Sequence, residues 1–90
     1  MSEAQWHVLV MGPARRQIDR LPISVAAAVI ETLGAIASNP RRLGKPLRFE
    51  LDGCFSARRG PYRIVYRIDD AANTVSVLAV AHRADIYRTR

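Results

Sequence analysis

Ninety residues allow one domain, spanning 1–90, with a modest core, and a 49% hydrophobic content indicates a folded globule. A lone cysteine, Cys54, excludes an internal disulfide. The chain has no run of the ~18–20 apolar residues that span a bilayer and no charged-then-apolar leader pattern, so a cytoplasmic protein is expected. The formal charge is +6, and eleven of the fourteen Lys and Arg residues lie at or after Arg41, which suits a polyanionic partner, nucleic acid first among them.

The run Trp6–Met11 is apolar, β-branched and aromatic, bounded by Gly12-Pro13, and predicts a buried strand. Pro13 suits the first turn of a helix, and Ala14, Ile18 and Leu21 share one side of a helix over Ala14–Leu21 that Pro22 breaks. Helical spacing returns at Val25, Ala28, Val29, Leu33 and Ile36. It predicts a second helix over Ser24–Ala37, capped by Ser24 and ended at Ser38-Asn39-Pro40. Arg41 to Gly53 reads as an irregular basic connection. Three strands follow at Cys54–Arg59, Tyr62–Asp69 and Thr74–Ala81, separated by the turn Gly60-Pro61 and the loop Asp70–Asn73. Short loops make neighbouring strands antiparallel. The expected fold class is α+β, in the order β-α-α-β-β-β, with a helical hairpin on one face of a four-stranded, mostly antiparallel sheet.

Alternation along the strands separates two faces. Tyr62, Ile64, Tyr66 and Ile68 take the core side, with Trp6 and Tyr66 expected in the core and Cys54 expected as a small buried residue. Ser56, Arg58, Arg63, Val65 and Arg67 take the open side. The chain carries no metal-spaced Cys/His cluster, no Gly-rich phosphate loop and no serine elbow, so neither a cofactor nor a metal is expected. Arg, Tyr and a lone His on adjacent strands fit metal-independent phosphodiester cleavage. In that reaction a ribose 2′-hydroxyl attacks the neighbouring phosphate, and Arg forks bind the phosphoryl oxygens. Arg58, Arg63, Arg83 and Tyr87 are the candidates for that chemistry. Arg59 and Arg67 are expected to attract phosphate generally, and Arg41, Arg42, Lys45 and Arg48 to dock RNA or the ribosome. His82 points opposite Arg83 by alternation.

The ordered set Arg58-Arg59-Gly60-Pro61-Tyr62-Arg63-Ile64-Val65-Tyr66 and Ala81-His82-Arg83-Ala84-Asp85-Ile86-Tyr87-Arg88 resembles the RelE branch of the RelE/ParE toxin superfamily. Arg20-Leu21-Pro22, Asn39-Pro40 and Gly44-Lys45-Pro46-Leu47 are similar to its helix ends and loop. The resemblance implies a toxin of a type II toxin–antitoxin pair that enters the ribosomal A site and cuts mRNA. Its partners would be the ribosome, mRNA and a cognate antitoxin, with no membrane involved. It also implies that Arg58, Arg63, Arg83 and Tyr87 surround the scissile phosphate. The best-studied branch has two Lys on this strand; Ser56 stands at the first and Arg58 at the second. Arg is a poor base, which leaves the proton acceptor open between Tyr87, His82 and positioning by the ribosome. Two other functions fit the fold: a ParE-like DNA gyrase poison, and a catalytically decayed relative that only binds RNA or antitoxin. The joint presence of Arg63, Arg83 and Tyr87 favours the nuclease, whereas Ser56 speaks for decay.

Overall fold

The computed structural model describes residues 5–48 and 53–85. Its elements run β1 (His7–Val10), α1 (Gly12–Asp19), α2 (Ile23–Ser38), α3 (Pro40–Leu43), β2 (Lys45–Pro46), β3 (Cys54–Arg59), β4 (Tyr62–Asp69) and β5 (Thr74–His82). The strands form one sheet in the order β1-β5-β4-β3-β2. β1 runs parallel to β5 and every other neighbouring pair is antiparallel. The α+β class and the helical layer on one sheet face hold as expected.

The segment expected to be irregular instead supplies α3 and a fifth strand. A two-residue strand has no alternation to read; β2 exists because Lys45 and Pro46 lie against Ser56 and Phe55 of β3, and the Leu47 N–H donates to the Cys54 carbonyl at 2.9 Å. Pro46 is tolerated because the strand lies at the sheet edge. β1 is also an edge strand rather than a buried one: Val8 and Val10 turn inward while His7 and Leu9 are exposed. α1 ends at Asp19, after which the Arg20 and Leu21 N–H groups tighten onto the Gln17 and Ile18 carbonyls. α2 begins at Ile23, and Ser24 does not cap it. Pro22 occupies the cap position, and its carbonyl accepts the Ala26 N–H.

The core lies between helices and sheet. Ala14, Val29, Leu33 and Ile36 pack onto Ala57, Ile64, Tyr66, Val75, Val77 and Val80, with Trp6 partly buried against them. Each fully buried Val or Ile contributes roughly 1.5–3 kcal/mol. On β5 the inward set shifts from Val75 and Val77 to Val80 because the ladder slips: Tyr66 faces Val77, Val65 faces Ala79, and Leu78 is the extra residue of a bulge. Val80, beyond the end of β1, donates its N–H to Gln17 Oε1 at 2.7 Å, so α1 satisfies an amide that no strand reaches.

Tyr66 joins the sheet to the segment beyond the helices. It is fully buried and stacks on Phe55 with ring centroids 5.9 Å apart; its hydroxyl donates to the Pro40 carbonyl. Burial pushes its phenol up to about 12, partly offset by a hydrogen bond with the Gly44 backbone. Gly44 is required by this approach, since a Cβ there would stand 2.1 Å from the Tyr66 hydroxyl oxygen. Tyr66 thereby docks α3 and β2 against the sheet.

Candidate anion-binding site

The β3–β4 hairpin sets the site. Its connection is two residues, and Gly60 takes a φ of 58° that a residue with a Cβ rarely adopts. This pairing puts Arg58 directly opposite Arg63, and Ser56 opposite Val65. Beyond them on β5, the bulge brings Ala81 opposite Arg63 and Ala79 opposite Val65. Two small residues thus flank the cations on the open face. On the other side, β2 places Lys45 opposite Ser56.

Leu43, Lys45, Ser56, Arg58 and Arg63 line a cavity of about 450 Å³. None of the five is acidic, and no Lys45, Arg58 or Arg63 ion pair with a carboxylate occurs among the described residues. Like charges directly opposed across a ladder are destabilising by a fraction of a kcal/mol. The buried Nε of Arg63 also lacks an acceptor among the described residues. A donor in that state carries a desolvation cost that an anion removes. Repelling cations, an orphaned donor and an open cavity together favour a phosphate-sized, multiply accepting ligand.

The remaining expected residues fall elsewhere. The Arg83 N–H donates to the Pro61 carbonyl at 2.7 Å, which fastens Arg83 beside the hairpin turn, two residues past Ala81. Tyr87 lies outside the described residues. Arg67 shares the open face and its Nη2 reaches Cys54 Sγ at 3.4 Å; Cys54 is buried as expected. Arg59 turns to the helix side, where it bonds Glu31 at 2.9 Å and the Thr32 hydroxyl at 3.2 Å. Arg41 forms a two-pronged pair with Asp70 at 3.0 and 2.8 Å. Those hydrogen bonds hold the Asp70 carboxyl below its usual range and raise Arg41. Arg59 and Arg41 therefore already meet carboxylates of the chain itself. Arg42 and Arg48 are exposed. His82 sits across from Tyr62 in an edge-to-face contact at 5.6 Å, and its Nδ1 accepts the Ala84 N–H. That places it, exposed, on the helix-side face of the sheet with Arg59, opposite to the face of Arg58 and Arg63. Lys45, expected to dock RNA or the ribosome, lines the cavity itself.

The chain belongs to the family described as the ParE toxin of the type II toxin–antitoxin system parDE, whose model matches residues 8–87. It is 58% identical to toxin RelG of Mycobacterium tuberculosis over 76 residues, covering 83% of this chain and 87% of that toxin. With toxin RelE of the same organism it shares 48% identity over 84 residues, 92% of this chain and 87% of the relative. Its structure superposes on a chain of the toxin–antitoxin complex RelBE2 from M. tuberculosis with a TM-score of 0.85 and 49% identity, covering 93% and 98% of the two chains. The isolated E. coli RelE toxin matches at a TM-score of 0.75 and 21% identity over 94% and 88%, a likeness of fold alone. The RelE-like branch of the superfamily is therefore supported by sequence and by fold.

Proposed function

We propose that this toxin is a ribosome-dependent endoribonuclease that cuts mRNA in the A site without a metal, and that a cognate antitoxin holds it inactive. The observation that carries the reading is the direct opposition of Arg58 and Arg63 beside Lys45 in a cavity whose lining, among the described residues, includes no acid. In the reaction the ribose 2′-oxygen bonds to phosphorus as its proton leaves, and the bond from phosphorus to the 5′-oxygen breaks. The products are a 2′,3′-cyclic phosphate and a 5′-hydroxyl. Negative charge builds on the phosphoryl oxygens, where the Arg forks bind. Arg83, held beside the hairpin turn, and Tyr87 complete the set that the family resemblance assigns. The antitoxin reading draws on relatives solved as toxin–antitoxin complexes and on the basic open face, which an acidic partner would cover.

The test adds antitoxin-free protein to mRNA-programmed ribosomes and to the same mRNA alone, with ends mapped by primer extension. Cuts inside the A-site codon only with ribosomes present are expected. Absence of cuts in both would move the assignment to the second reading, a gyrase poison, which the ParE description of the matched family favours. A supercoiling assay then decides between poison and binding-only relative.

A further inference from the structure

We propose that Lys45 is the proton donor of this site, handing its ammonium proton to the 5′-oxygen as that oxygen leaves phosphorus. The inference rests on the nuclease reading above and deepens it. Among the described residues, three cations line the cavity, and two of them are arginines. A guanidinium binds phosphate well but does not release a proton under ordinary conditions, whereas a lysine ammonium is charged at neutral pH and can give its proton up. His82 is exposed on the opposite face of the sheet from the cavity, against Tyr62, with Nδ1 accepting the Ala84 N–H. Among the described charged groups lining the cavity, Lys45 alone can move a proton.

Its placement is fixed by the fold. Lys45 lies across from Ser56, one pair further along the open face of the sheet from the Arg58–Arg63 row, because residues two apart on β3 share a face. Lys45 and Ser56 both line the cavity with the two arginines. The segment that carries Lys45 is held on both sides. Before it, Gly44 packs on the Tyr66 hydroxyl, and after it the Leu47 N–H bonds the Cys54 carbonyl. Lys45 is itself exposed, but its backbone is held, as that of a lysine at a loose loop tip would not be. The step balances without an oxidant or metal: the 2′-hydroxyl proton goes to water, the Lys45 proton goes to the 5′-oxygen, and the amine is reprotonated from solvent.

The test uses single-turnover cleavage on programmed ribosomes by wild type, Lys45→Arg and Lys45→Gln, all with unchanged melting. Two messages are compared, one ordinary and one whose bridging 5′-oxygen at the cut site is sulfur, a leaving group that needs no proton. On the ordinary message both variants should be slower by about 100-fold or more. On the sulfur-bridged message Lys45→Arg, which keeps the charge, should match wild type. Wild-type rates on the ordinary message for both variants, or a Lys45→Arg defect of equal size on both messages, would overturn the role. If wild type cuts neither message, the nuclease reading itself fails and takes this role with it; cleavage by wild type with undiminished variants removes the lysine alone.

Discussion

Arg58 and Arg63 face each other across the β3–β4 ladder, and neither forms an ion pair with a carboxylate among the described residues, an arrangement that costs the isolated protein stability. Arg58→Ala is therefore expected to raise thermal stability slightly, by about 0.2–1 kcal/mol, while lowering cleavage by orders of magnitude. Calorimetry and primer extension on the same sample check both signs. A stability loss above about 1 kcal/mol would make Arg58 a structural residue instead. The contrast with Arg41 and Arg59 is instructive, since each of those meets an acid of the chain within 3.0 Å. Alternation alone separated Arg58 and Arg63 from the core side. It could not show that Glu31, 28 residues earlier, waits for Arg59, because that contact depends on how the helix layer is laid across the sheet.

At the scale of elements, the α3–β2 segment decides whether the site is complete. Gly44→Ala forces a methyl group onto the Tyr66 hydroxyl and should cost about 1–3 kcal/mol, read by chemical denaturation. If Gly44→Ala were neutral, the docking of this segment would not depend on that contact. The helical hairpin and the three-stranded meander were legible in the sequence because each is long enough to show its period and is bounded by Pro22, Pro40 or Gly60-Pro61. β2 was not legible, since two residues carry no period. The bulge at Leu78 was equally hidden. The string Val77-Leu78-Ala79-Val80 is apolar at every position, so nothing in it marks where inward-facing residues change parity. That bulge nonetheless determines that Ala81 flanks Arg63.

At the scale of the whole molecule, stability at high pH turns on Tyr66. Its phenol is raised from the ordinary value of 10.0 to about 12 by burial. Between those values the folded state binds a proton that the unfolded chain has released, so stability is full below pH 10 and falls as pH rises towards 12. Denaturation midpoints from pH 9 to 12 should fall for wild type and flatten in Tyr66→Phe. Equal slopes in the two proteins would assign the loss to other groups. No helix among the described residues is long and apolar enough to cross a membrane.

The parallel pairing of β1 with β5 has a consequence for assembly. His7 meets Thr74, so this contact closes a loop covering most of the described chain, whereas β3, β4 and β5 are joined by short turns. Loop closure of that length is entropically costly, which makes β1 the strand to arrive late and leave early. When it leaves, the flank of β5 from Thr74 to Val77 is stripped of its partner and becomes a template for any extended strand, including that of another copy. Destabilised variants should thus aggregate through β5 while the cationic cavity, built on β2, β3 and β4, is still assembled.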